Sequence, residues 1–122
     1  MTRRSILHLT TKQSWEEALP IGNYTISTRN KTLAEVGFIH CSFPDQLEEV
    51  AGFVFAQCKE ELVILHLDIK SLAENGVVVR VEDGGNGQNY PHIYGPIPCE
   101  LVDAVSSAFM NAEGKLIIDG QV

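Results

Sequence analysis

The sequence predicts an α+β fold, a single small domain in which short strands and short helices share one core. Its 122 residues suffice for one domain of this kind. Short apolar runs that alternate every second residue are interspersed with runs of helical spacing, and no repeat, low-complexity tract or linker separates them. We therefore expect residues 1–122 to form one domain.

The first half of the chain predicts strands that alternate with short helices. A helix is expected over residues 12–19, with N-cap hydroxyls at Thr10 and Thr11. Its inward face is predicted to consist of Trp15, Ala18 and Leu19. The other predicted elements are strands over 5–9 and 38–42, extended chain over 23–28, and one helical turn over 32–36 that Thr32 caps and Gly37 ends.

In the second half the clearest helix signal begins at Asp45. Asp45 and Glu48 have the spacing of an N-cap and an N3 residue, which predicts a capping box. Apolar residues from Leu47 to Cys58 follow at helical spacing, and residues 101–109 also carry a helical stripe. The remaining predicted elements are strands over 61–68, 77–82 and 116–119, a short helix over 69–75, and a glycine-rich loop over 83–89.

Composition and charge argue against several classes of protein. The formal net charge of −7 disfavours nonspecific binding to nucleic acid or to an anionic membrane. No stretch approaches the ~20 apolar residues of a membrane span, and the N-terminal apolar run is too short for a signal peptide. The three cysteines form no CxxC pair and are expected to be free thiols, so we predict a cytoplasmic protein.

Two histidine-centred stretches stand out, GFIHCS over residues 37–42 and YPHIYGP over residues 90–96. The chain has only four histidines, and a third, His8, lies in the apolar run ILHLT. Imidazole titrates near neutral pH and also binds metals. We therefore predict that His8, His40 and His92 line one pocket.

Strand alternation assigns the neighbouring polar residues to faces. Side chains two residues apart share a face of a strand. His8 is therefore expected beside Thr10, and Phe38 beside His40 and Ser42. The cysteine that follows His40 then points the other way, into the core.

Loop placement and strand ends supply the other candidates. His92 precedes Tyr94 and Gly95 in a glycine- and proline-containing stretch, and loops commonly present binding residues. Glu82 ends a strand just before the glycine-rich loop, where a carboxylate suits a general base or the stabilisation of a developing cation. His66 is expected to be an exposed strand residue and is not included. The predicted catalytic residues are His8, His40, Glu82 and His92, and the predicted ligand-binding residues are Thr10, Phe38, Ser42, Tyr94 and Gly95.

The strings ILHLTT, TLAEVGFIHCS, RVE and YPHIYGPIP, in this order, resemble a small bacterial family known as domain of unknown function 952. The resemblance runs from Ile6 to about Val105. That family is similar in fold to ADP-ribosylating enzymes, which implies a split, mostly antiparallel β-sheet core flanked by short helices. The resemblance also implies a strand over residues 104–110, against the helical stripe.

The resemblance further implies a ligand and roles for several residues. ADP-ribosylating enzymes bind NAD in a cleft, and their first core strand carries a His-x-Thr triad that His8, Leu9 and Thr10 match. His8 would hydrogen-bond the nicotinamide-side ribose, and Thr10 would help to set its geometry. Those enzymes usually place glycine where this chain has Leu9. Glu82 matches the carboxylate that stabilises an oxocarbenium-like transition state, so NAD or an ADP-ribose-like nucleotide is the implied ligand of a transferase.

Two alternatives stay open at the level of sequence. The imidazoles of His8, His40 and His92 with the carboxylate of Glu82 suit zinc or a similar ion that activates water, as in a metal-dependent hydrolase. The leucine in the first triad instead favours a non-catalytic module that keeps the cleft and binds a small molecule. Whether the protein is an enzyme is therefore undecided by its sequence.

Overall fold

The structure, a computed structural model, describes residues 5–121, with side chains to residue 119. Residues 1–4 and 122, the ends of the predicted single domain, lie outside the described residues. The helices are α1 (Lys12–Ala18), α2 (Leu33–Val36), α3 (Leu47–Val54) and α4 (Ile69–Glu74). The strands are β1 (Ser5–Thr11), β2 (Asn23–Tyr24), β3 (Ile26–Thr28), β4 (Lys31–Thr32), β5 (Ile39–His40), β6 (Leu62–Asp68), β7 (Val78–Asp83), β8 (Asn89–Tyr94), β9 (Ile97–Pro98), β10 (Ala104–Met110) and β11 (Leu116–Gln121).

Two antiparallel sheets form the centre of the domain, which confirms the predicted α+β fold with a split core. One sheet has four strands in the order β1-β6-β10-β11, and the other has three in the order β5-β8-β7. They meet where Leu7 and Ser42 exchange two backbone hydrogen bonds of 2.8 Å, although no further ladder forms between β1 and β5. Two-stranded pairs, β2 with β9 and β3 with β4, complete the described sheets.

The central strand β6 is buried on both faces, so apolar clusters lie on each side of the four-stranded sheet. Trp15 and Tyr24 belong to one cluster, and Leu47 and Phe55, from the α3 side, belong to the other. Cys41 is buried in the first cluster, as strand alternation predicts. Within the described chain, no helix has the length and apolar character that a membrane crossing requires.

The caps of α1 and α2 follow the sequence, with one misplaced apolar residue. Thr11 accepts a hydrogen bond from the backbone N–H of Ser14, and Thr32 forms a full capping box with Glu35. Gly37 adopts a left-handed φ of 99° and ends α2 as predicted. Leu19 was expected on the inward face of α1, but the helix ends at Ala18 and Leu19 is 49% exposed.

The predicted N-cap of α3 is wrong by one residue, because the helix begins at Leu47 and its N-cap is Gln46. Pro44, whose ring presets a helical φ, begins a 3-10 turn over Pro44–Gln46, so Asp45 lies inside that turn and is not the N-cap of α3. The side chain of Gln46 accepts the backbone N–H of Phe43 at 3.0 Å, which is the half of the capping box that Glu48 was expected to supply. The helix ends at Val54, before the predicted limit.

Residues 104–110 form a strand, so the helical stripe is misleading there and the implication of the family resemblance is confirmed. The strand β10 pairs with β6 on one side and with β11 on the other. Its backbone groups are thus satisfied by neighbouring strands, and this tertiary pairing outweighs a local apolar spacing that fits either structure.

Candidate functional site

The three-stranded sheet aligns the residues of the two histidine-centred stretches. In the register of β5, β8 and β7, His40 lies opposite His92, and His92 lies opposite Arg80. Because alternate residues share a face, Phe38 and Tyr94 stand on the same side as the two histidines. The ring of Phe38 stacks on that of His92, with centroids 4.1 Å apart, and lies 5.4 Å from that of Tyr94.

His92 and Glu82 form a hydrogen-bonded pair on this face. The Nδ1 atom of His92 lies 2.8 Å from Oε1 of Glu82, and the hydroxyl of Tyr94 donates to the same oxygen at 2.5 Å. The hydrogen bonds from Tyr94 and from His92 lower the pKa of the Glu82 carboxyl, which is therefore an anion near neutral pH. Since a carboxylate only accepts, Nδ1 carries the proton and Nε2 is the nitrogen left for chemistry.

The Nε2 atom of His92 retains access to solvent although the residue is only 4% exposed. Among the described residues this nitrogen has no hydrogen-bond partner, and none of their buried side-chain nitrogens or oxygens is unsatisfied. A buried imidazole with a carboxylate on one nitrogen and an open second nitrogen is suited to general acid–base chemistry.

His40 stands beside His92 and differs from it in its partners. The ring centroids are 5.3 Å apart in an edge-to-face arrangement, and the side chain is exposed. Partial burial, and secondarily the charge of His92, lower the pKa of His40. Its lowered pKa leaves the imidazole of His40 neutral near pH 7. Within residues 5–119 the ring forms no hydrogen bond, so one nitrogen is free to accept a proton.

His8 belongs to a closed hydrogen-bond network. Its Nδ1–H donates to the backbone carbonyl of His40 at 2.6 Å, and its Nε2 accepts the hydroxyl of Tyr24 at 2.7 Å. Thr10 in turn hydrogen-bonds to Tyr24. Burial lowers the pKa of His8 to about 4, so the ring is neutral, and both of its nitrogens are occupied by the protein itself. This geometry ties β1 to β5 and leaves neither nitrogen for a ribose.

A cavity of about 800 Å³ opens beside the two sheets. Its volume lies in the range of small-molecule sites, roughly 300–1,000 Å³. Four of the predicted site residues line it: His8, His40, Ser42 and His92. The other predicted site residues do not line it within the described chain: Thr10, Phe38, Glu82, Tyr94 and Gly95.

Several cavity residues escaped prediction from sequence. Arg29 and Lys31 supply two cationic side chains, Phe53 is 87% exposed at the rim, and Tyr90 completes one side. Arg29 is held in place because its Nη1 donates to the carbonyls of residues 54 and 56 at 3.1 Å. Nothing in the sequence around Arg29 and Lys31 marks a site, because the proximity of these residues to the histidines arises from tertiary packing.

The glycine-rich loop is a closed turn beside the cavity. Gly84 N–H donates to the carbonyl of Gln88 at 2.9 Å, and Asn86 donates to the hydroxyl of Tyr90 at 2.9 Å. A Cβ on Gly84 would lie 2.4 Å from the ring of Tyr90, so glycine is required for this contact. The loop thus fixes Tyr90 on the cavity wall.

The metal-site alternative does not match the geometry. Across the described side chains, no group of three histidine, cysteine or carboxylate residues is arranged to hold an ion. Both nitrogens of His8 and the Nδ1 of His92 are already committed to hydrogen bonds.

His66 also departs from expectation, because it is half-buried and its Nε2 lies 2.8 Å from the hydroxyl of Ser106.

Comparison with known proteins agrees with the resemblance in sequence. A family described as protein of unknown function (DUF952) matches residues 9–105. The crystal structure of protein CC0527 from Caulobacter crescentus, and that of a double mutant of it, are 26% identical to this chain, each covering 93% of both chains with a TM-score of 0.77. No curated protein matches. Because the family match spans most of its length, the chain belongs to the DUF952 family.

Proposed function

We propose that the histidine-lined cavity binds a nucleotide such as NAD or ADP-ribose, and that His92 with Glu82 is its acid–base group. The observation that carries the proposal is the open Nε2 of His92, backed by a carboxylate 2.8 Å from Nδ1, on the wall of a cavity of about 800 Å³. Arg29 and Lys31 outnumber the carboxylate of Glu49 on the lining of the same cavity and favour an anionic ligand.

The cavity chemistry modifies the roles implied by the family resemblance. His8 serves as a positioning residue, since its Nδ1–H holds the backbone of His40. Glu82 acts through His92, because its accepting oxygen is already engaged by two donors. Ser42 borders the cavity and is available to hydrogen-bond the ligand. Three free cysteines suit a reducing compartment, so the proposal includes a cytoplasmic location.

Thermal unfolding with and without ligand tests the proposal. Excess NAD or ADP-ribose at a hundred times its dissociation constant stabilises the folded protein by about 2.7 kcal/mol. The unfolding midpoint of a domain of this size then rises by several degrees. The variant Lys31→Ala is expected to reduce the shift, whereas Lys115→Ala, which removes a lysine in an exposed turn, leaves it unchanged.

The second candidate is a ligand-binding module without catalysis. Leu9 in the place of glycine and the occupied nitrogens of His8 favour it, because both depart from what NAD chemistry at the first strand requires. This candidate predicts stabilisation by NAD or ADP-ribose with no conversion of either. The absence of any midpoint shift with both ligands would contradict the nucleotide proposal in each form.

A further inference from the structure

The two cavity histidines form an asymmetric pair. His40 and His92 are direct cross-strand partners with ring centroids 5.3 Å apart, and both line the cavity. Glu82 stabilises positive charge that develops on His92, since its carboxylate accepts Nδ1–H at 2.8 Å. His40 has no carboxylate partner among the described residues. One ring is therefore suited to donate a proton and the other to accept one.

The position of the carboxylate decides between two kinds of bond cleavage. Breaking a glycosidic bond requires an anion close to the sugar carbon that becomes positively charged. Glu82 does not line the cavity, and its Oε1 accepts from both His92 and Tyr94. Three imidazoles line the cavity, but both ring nitrogens of His8 are already hydrogen-bonded, which leaves those of His40 and His92. The charged side chains on the lining are Arg29, Lys31 and Glu49. The carboxylate of Glu49 accepts from the side-chain amide of Gln88 at 3.4 Å, and the two cations outnumber it. These groups are suited to phosphoryl transfer, which depends mainly on cations placed beside the phosphoryl oxygens and on proton transfer.

We propose that the cavity hydrolyses a P–O bond of a disubstituted phosphate, with His40 as the base and His92 as the acid. This inference rests on the proposed nucleotide site. His40 takes a proton from water, and the water oxygen forms a bond to phosphorus. The P–O bond to the leaving group breaks, and the leaving oxygen takes the Nε2 proton of the His92 imidazolium, whose Nδ1–H stays on Glu82. Transfer of a proton from His40 to His92 through solvent then restores both rings. The products are a phosphomonoester and an alcohol, or two phosphomonoesters when the substrate is a pyrophosphate.

Arg29 and Lys31 stabilise the negative charge of the phosphoryl group in this reaction. Arg29 is fixed by two carbonyls and lies 5.7 Å from the ring of Phe55, so its charge is presented without a large ordering cost. It neutralises the phosphoryl oxygens together with Lys31. No step requires an oxidant or a reductant, and water is the one co-reactant.

The test uses metal-stripped protein in the presence of EDTA, with bis(4-nitrophenyl) phosphate, 2′,3′-cyclic AMP and NAD as separate substrates. We expect release of 4-nitrophenol, of a nucleoside monophosphate, and of AMP with nicotinamide mononucleotide. His40→Ala and His92→Ala are each expected to lower kcat by about 10²–10⁴-fold. His66→Ala, which removes a half-buried histidine bonded to Ser106, is the matched control and retains the activity.

The outcomes separate this inference from the proposed function. Nicotinamide and ADP-ribose as the products of NAD would overturn P–O cleavage while supporting the nucleotide site. Stabilisation by ADP-ribose with no turnover of any substrate would do the same. Turnover that survives both histidine substitutions would also overturn the inference. Because His92→Ala removes a stacked ring, Glu82→Gln provides a second variant of nearly unchanged shape, and its kcat is expected to fall about tenfold or more.

Discussion

His8 and His92 are equally inaccessible, at 1% and 4% exposure, and yet the fold treats them in opposite ways. The partners of His8 are a carbonyl and a phenol hydroxyl, which together use both ring nitrogens. The partner of His92 is a carboxylate on one nitrogen, and the other nitrogen remains open. Burial alone therefore does not make a histidine reactive. A reactive histidine also needs a negatively charged partner on one nitrogen and no partner on the other.

The largest expected effect tests the neutral state of His8. Its pKa of about 4 in the folded protein lies below the 6.5 of the unfolded chain, so the unfolded chain takes up the proton first as pH falls. The contribution of neutral His8 to the free energy of unfolding is therefore complete above pH 6.5 and is lost progressively as the pH falls to about 4. At about 1.4 kcal/mol per pKa unit, the loss amounts to about 3 kcal/mol.

Urea unfolding at pH 7.5 and pH 4 measures this loss. The wild-type protein should lose about 3 kcal/mol more of its unfolding free energy than His8→Gln does, because only the wild type carries the buried imidazole. His66→Gln serves as the control and is expected to keep the full wild-type dependence. An equal loss in His8→Gln and in the wild type would show that the pH sensitivity lies elsewhere and would contradict a buried neutral His8.

The sequence predicts more of the fold than of the site. Caps such as Thr32 and strand alternation such as that around His40 are local, so they can be predicted without knowing the tertiary structure. The hydrogen-bond partner of His8 cannot be predicted in this way, because Tyr24 lies on another strand. The roles of Glu82 and Arg29 depend in the same way on which strand or loop lies alongside, and no spacing in the sequence encodes that.

A second prediction concerns the tyrosine that lines the cavity on the His92 side. Gly84→Ala introduces a Cβ 2.4 Å from the ring of Tyr90, which must move. Overpacking of this kind costs typically about 1–3 kcal/mol. Gly52→Ala is the matched control, because its Cβ meets only a carbonyl oxygen at 3.9 Å and replaces glycine inside α3.

Denaturant unfolding of the two alanine variants gives the readout. Gly84→Ala should lower the free energy of unfolding, and Gly52→Ala should raise it by roughly 0.5–1 kcal/mol. The Gly84 variant should also bind ADP-ribose more weakly, since Tyr90 borders the cavity, while the His8 pH dependence stays intact. Equal stabilities for both variants would show that Tyr90 does not pack on the glycine.

The smallest expected change in stability comes from Tyr94→Phe, which tests whether the surroundings of His8 and His92 are independent. The substitution removes the hydroxyl that donates to Glu82 at 2.5 Å, the largest cause of the lowered carboxyl pKa. The pKa of Glu82 should therefore rise towards its ordinary 4.5 and stay below it, because His92 still donates to the same oxygen. Carbon-detected NMR titration follows the carboxyl and both imidazoles in one sample. His8, whose partners are the carbonyl of His40 and the hydroxyl of Tyr24, should titrate unchanged. A shift of His8 together with Glu82 would mean that His8 and His92 belong to one coupled network.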